Sequence, residues 1–120
     1  MSEYDIEQVV LFRSEKGPFL CLGDPKALET LYRPDDIVLR LPELEIVFDF
    51  PLRHETTFTA KAKNPKGFTR AELGTFINEN YSKIYEDQQR YGVWGHDLAK
   101  LKLREFHLTD KGQGRLDVSA

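Results

Sequence analysis

The feature that most constrains this chain is a long amphipathic segment opening after Gly67. Thr69 and Glu72 have the spacing of a capping box, in which the hydroxyl accepts a hydrogen bond from the backbone at the third helical position and the carboxylate reaches back. Phe68 before the cap and Leu73 in the first turn have the spacing of a hydrophobic staple. Leu73, Phe76, Ile77, Tyr81, Ile84 and Tyr85 then recur at helical intervals, and Gly92 suits the stop. The pattern predicts a helix over about 69–91. Such a rod is roughly 30 Å long, enough to cross a sheet. With 120 residues, 40% of them hydrophobic, the chain has material for one core. It has no internal repeat, low-complexity tract or Ser/Gly linker, so residues 1–120 read as a single globular domain.

The sheet for this rod to cross is also legible. Leu44, Ile46, Phe48 and Phe50 alternate with Glu43, Glu45, Val47 and Asp49. Upstream, Ile37, Leu39 and Leu41 hold the opposite parity, which predicts a bulge or bend at Pro42. Phe58, Ala60 and Ala62 alternate with Thr57, Thr59, Lys61 and Lys63. Val9–Phe12 and Phe19–Leu22 flank Gly17-Pro18 as a hairpin would. Leu101 and Leu103 alternate with Lys100, Lys102 and Arg104, and Phe106 and Leu108 take the other parity, which predicts a bulge near Glu105. A turn at 110–114 lets 115–118 return as a last strand. Asp24-Pro25 supplies a cap and a first helical proline for a short helix near 25–32. The sum is an α+β domain: a mainly antiparallel sheet of about five to seven strands, packed on one face by the long helix.

Charge restricts the partners. Residues 1–60 hold 12 acidic and 6 basic residues, net −6, whereas 61–120 hold 8 and 11, net +3. A mildly acidic total of −3 argues against generic nucleic-acid binding, which needs a basic excess. No apolar run approaches a membrane span, and the acidic opening Met1-Ser2-Glu3-Tyr4-Asp5 is unlike a signal peptide. One cysteine supplies neither a disulfide framework nor a Cys-based zinc site, which suits the cytoplasm or another reducing compartment.

Few residues point to catalysis. Cys21 sits among Phe19, Leu20 and Leu22, where nothing favours a thiolate, and reads as a buried structural cysteine. No nucleophile elbow, P-loop or dinucleotide fingerprint occurs. His54, His96 and His107 lack the spacing of paired metal ligands, so neither metal nor cofactor is implied. Trp94, His96 and Asp97 lie in a glycine-bracketed loop, where His96 and Asp97 can serve as an acid–base or ligand pair.

Two surfaces offer themselves instead. If the helix roofs the apolar side, Lys61, Lys63, Lys100, Lys102 and Arg104 all project from the bare side, unless Glu43, Glu45 and Asp49 neutralise them. Lys66 and Arg70 add positive charge near the helix N-terminus. On the helix, Gly74 lies beside Tyr81 and Tyr85, a candidate contact groove, while Asn80 and Gln88 fall inside the apolar stripe. The sequence therefore predicts a small intracellular, non-catalytic protein-interaction domain, its partner another protein bound through the basic face or the tyrosine flank. Two alternatives are a small-molecule-binding or hydrolytic enzyme with a pocket at Trp94, His96 and Asp97, and a subunit of a larger assembly, homo-oligomeric or otherwise, with an edge strand or the tyrosine flank covered.

Overall fold

The alternation around Leu44 sends Leu44, Ile46 and Phe48 to one side of a strand, and all three are buried. In the computed structural model, which describes residues 5–120, that side lies beneath helix α1 (Arg70–Glu86). The acidic opening through Tyr4 is outside the described residues. The main sheet has six strands among the described residues: β1 (Ile6–Leu11), β2 (Leu20–Cys21), β4 (Glu43–Phe48), β5 (Thr56–Lys61), β7 (Lys102–Thr109) and β8 (Gln113–Ser119). Their order is β1-β7-β8-β4-β5, with β2 beside β7 as well. Only the β4–β8 pair is parallel. A separate ribbon joins β3 (Ile37–Leu39) to β6 (Phe68–Thr69).

One face is roofed by α1 and the other is mostly open, with Val47 its buried exception on β4. Val10, Leu44, Ile46, Phe48, Ala60, Leu103 and Phe106 meet Leu73, Ile77, Tyr81 and Ile84 of α1 in a single core. On the reverse face Glu43, Glu45, Thr57, Thr59, Val9, Leu11 and Asp117 remain exposed. The expected α+β layer is therefore present, with the helix on one side.

Local chemistry explains the helix start. Thr69 accepts a hydrogen bond from the Glu72 N–H at 3.0 Å, as predicted. The Glu72 carboxylate does not complete the box; it accepts from the Lys63 N–H at 2.8 Å and so ties the preceding loop to the helix. The helix is shorter than its pattern. It breaks at Asp87, and a one-turn helix α2 (Gln88–Tyr91) leads to Gly92. Gln88 is consequently exposed rather than set in the stripe. Asn80 is buried and satisfied, its side-chain amide donating to the Phe76 carbonyl at 2.8 Å.

Two further expectations change. The predicted hairpin does not pair with itself: Ser14 and Gly17 close a tight turn, and β1 and β2 both lie along β7. The parity change at Pro42 does fall at a bend, where the chain passes from the ribbon to the main sheet. The short helix is a 3-10 segment, Pro25–Thr30, capped by Asp24 accepting from the Lys26 N–H. The irregularity near Glu105 falls where it was expected, between Leu103 and Glu105.

Candidate partner-binding surface

The five basic residues do not form one patch. Lys102 and Arg104 lie on β7, and both cations stand over the Phe19 ring, at 5.1 and 5.8 Å from its centroid. Lys100 precedes the strand, in a 3-10 turn over Leu98–Lys100, and borders a different cleft. Lys61 ends β5 at the far edge, opposite Glu43. Lys63 follows that strand and, with Lys61, borders a groove of about 350 Å³ between β5 and α1. Parity alone placed all five together, but Lys100 and Lys63 lie outside the strands that would carry that parity. Among the described residues none of the five forms an ion pair; Arg104 donates to the Ser119 hydroxyl at 2.9 Å. Of the three carboxylates, Glu43 stands directly across the ladder from Lys61 without a close ion pair, and Asp49 pairs Arg115 instead.

What the sequence missed is exposed apolar surface on the bare face. Val9 and Leu11 face outward on β1, 46% and 41% exposed, in register with His107 and Glu105. The signal was present: Val9, Val10, Leu11 and Phe12 are four consecutive apolar residues, and a strand with one roofed face hides only alternate ones. Val10 and Phe12 are buried, and Val9 and Leu11 are left in the open.

The tyrosine flank is not a surface groove. Tyr81 is fully buried, packs edge-on to Phe48 at 5.1 Å, and donates its hydroxyl to the Phe50 carbonyl at 2.7 Å. Burial pushes its phenol pKa well above the usual value, with Asp49 adding to the shift. Tyr85 is half-buried, with its hydroxyl donating to the His96 carbonyl at 2.9 Å. Gly74 is close packing: a methyl group there would stand 3.3 Å from Leu20, Leu28 and Phe12.

His96 and Asp97 are not hydrogen-bonded to each other. The His96 ring packs at a tilt against Phe50 and Trp94, each 5.2 Å away, and among the described residues forms no hydrogen bond or ion pair. The adjoining cleft, about 380 Å³, is lined by Gly95, His96, Asp97, Lys100 and Ala120 without Trp94. Among the described residues no group of three His, Cys, Asp or Glu side chains could hold a metal ion. Cys21 is half-buried rather than buried, opposite Lys102. Arg70 is already engaged, bonding the Leu11 and Arg33 carbonyls at 3.0 and 2.8 Å, and does not present its charge to an anion.

The remaining charge on the bare face centres on Arg115, 3.1 Å from Glu55 and 3.9 Å from Asp49. Partial burial raises the Asp49 pKa above 3.8; Glu55 raises it further and Arg115 only partly offsets them. A carboxyl whose pKa is higher folded than unfolded adds stability below about pH 4 and loses it as pH rises through the folded value. Asp49→Asn should therefore gain on the parent as pH rises from about 3 to 7. Thermal unfolding at both pH values checks this; a variant-minus-parent melting-temperature difference that stays constant or falls from pH 3 to pH 7 refutes it.

Among the described residues no helix is long and apolar enough to cross a membrane. No protein-family model, curated protein or solved structure matches the chain.

Proposed function

We propose that this chain is a non-catalytic protein-interaction domain of a reducing intracellular compartment. It receives its partner on the bare sheet face, along β1 and β7, where Val9 and Leu11 are exposed and Phe19 lies under Lys102 and Arg104. The observation that carries this reading is two exposed apolar side chains on β1 and, on the neighbouring β7, two cations that form no ion pair among the described residues. Apolar residues at the centre of a contact supply burial, and unpaired charges at its rim choose the partner and steer its approach. The complementary partner is a protein segment carrying apolar side chains followed by carboxylates. Nucleic acid fits less well, because Glu43, Glu45, Glu105 and Asp117 share the face and would repel phosphates. The enzyme alternative at His96 has less support, since that ring has neither an acid nor a nucleophile in hydrogen-bond reach.

A photo-crosslinking residue at Leu11, in cells that make the protein, tests the reading. It should capture a partner protein, and Lys102→Glu with Arg104→Glu should reduce capture about tenfold or more while circular dichroism shows the variant still folded, although it loses the contacts with Phe19 and Ser119. Undiminished capture by the double variant, or equal capture from a probe at exposed Glu86 on the helix, would overturn it.

A further inference from the structure

The two edges of the main sheet are finished differently. The β1 edge is interrupted by a register shift between Ile6 and Gln8. Its outward Leu11 carbonyl is taken by Arg70, and the Gln8 side chain bonds the Val38 carbonyl of the adjacent ribbon. The β5 edge is finished only at its end, where Lys61 is exposed and, just beyond it, Glu72 takes the Lys63 N–H. Its six residues pair with β4 without a shift, and they contain no proline or bulge. Ala62 donates to the Pro42 carbonyl at 2.9 Å, which sets the even-numbered residues of β5 toward β4. The N–H and C=O groups of Thr57, Thr59 and Lys61 therefore point away from the sheet. Among the described residues nothing pairs with them.

We propose that two copies of this chain pair antiparallel through β5, about a two-fold axis at Phe58, and so join their sheets into one. The argument for a second copy is that this strand is complementary to itself in that register. A two-fold axis at Phe58 sets Thr57 of one copy against Thr59 of the other, and Lys61 against Glu55. All four are odd-numbered positions, so the outward backbone groups meet each other. Opposite charges and Thr–Thr pairs directly across a ladder both favour pairing. Moving the axis to Thr57 would set Lys61 against Arg53, and moving it to Thr59 would leave Lys61 facing Thr57. Moving it by half a residue would turn the free N–H and C=O groups of one copy away from the other. An isologous contact of this kind closes at two copies, which also retires an edge otherwise open to aggregation.

Sedimentation velocity on the full chain, from about 1 μM to about 1 mM, should show a reversible dimer. Lys61→Glu alone and Glu55→Lys alone each create two like-charge contacts per dimer and should weaken it about tenfold. The two together should recover most of the loss, because the pairs across the axis are exchanged; Glu55→Lys also gives up the Arg115 pair within each copy, so the recovery is judged against Glu55→Gln with native Lys61. Thr59→Pro removes an N–H that the monomer does not use and should give a monomer with the parent's circular dichroism. Should the proline variant fail to fold, the charge exchange decides alone. A monomer at every concentration overturns the proposal, as does a dimer indifferent to both reversals or one that the double exchange does not restore. A different protein that protects the Thr57 and Thr59 amides from exchange, with the chain otherwise monomeric, overturns it too. The reversals at Lys102 and Arg104 leave this dimer unchanged, so its failure is distinguishable from failure of the partner-binding reading.

Discussion

Gly67→Ala should cost about 2–6 kcal/mol, a large share of the ~5–15 kcal/mol that holds a typical domain folded. Gly67 has φ +128°, a conformation that side chains with a Cβ rarely adopt. A methyl group there would stand 2.0 Å from the Leu39 carbonyl oxygen and 2.9 Å from Arg40 Cα, both of them backbone atoms. A side chain can turn aside, whereas these atoms move only if the β3–β6 ribbon opens. That ribbon leads directly into Thr69, so opening it also loosens the cap of α1. Backbone strain contributes about 1–3 kcal/mol and the forced overlap a similar amount. Gly95→Ala separates the two: Gly95 has φ +66°, but a Cβ would meet nothing within 4 Å, so only strain of about 1–2 kcal/mol remains. Urea unfolding of both variants measures the gap. Equal losses at the two positions would mean that the contact with Leu39 does not constrain the fold.

The contrast between those glycines also shows what was legible in the sequence. Features set by neighbours along the chain were readable: the Thr69 cap, the Asp24-Pro25 start, the alternation of Leu44 to Phe48 and the irregularity at Glu105. Each depends on residues within four positions, where backbone chemistry dominates. Features set by distant contacts were not. The β1–β2 hairpin failed because β7 offers both strands a partner along the same edge. The helix break at Asp87 was hidden because Tyr91 continues the apolar interval past it.

The candidate site failed in the same way, and more severely. Strand parity correctly sent Lys102 and Arg104 to the bare face, but it cannot say where a strand begins, so it recruited Lys100 and Lys63 as well. It also said nothing of Phe19, which reaches both cations because β2 pairs Leu20 with Leu103 and Cys21 with Lys102. The helical interval placed Tyr81 in the recurring apolar series, and reading it as part of a flank gave too much weight to its hydroxyl. A buried tyrosine needs one partner for that hydroxyl, and the Phe50 carbonyl is that partner.

Tyr81→Ala and Tyr81→Phe should therefore differ sharply. Truncation to alanine leaves a void among Phe48 and its neighbours and should cost about 3–5 kcal/mol for lost packing. It also leaves the Phe50 carbonyl without its 2.7 Å donor, at about 1–3 kcal/mol more. Together these approach the whole stability of a typical domain, and Tyr81→Ala should be largely unfolded at 37 °C. Tyr81→Phe keeps the ring and loses only the hydrogen bond, so about 1–2 kcal/mol. Its second effect is local. Phe50 packs at 6.1 Å against Trp94 and at 5.2 Å against His96, and Tyr81 is what anchors the Phe50 backbone from the core side. Releasing that anchor should loosen the Phe50–Trp94–His96 corner while the sheet and α1 stay intact. Trp94 is the one tryptophan in the chain, so its fluorescence reports on this corner alone. Faster acrylamide quenching in Tyr81→Phe, with unchanged far-ultraviolet circular dichroism, is the expected result. Unchanged quenching would show that the aromatic corner holds itself together, and that the Tyr81 hydroxyl serves the stability of the core but not the order of the loop beside it.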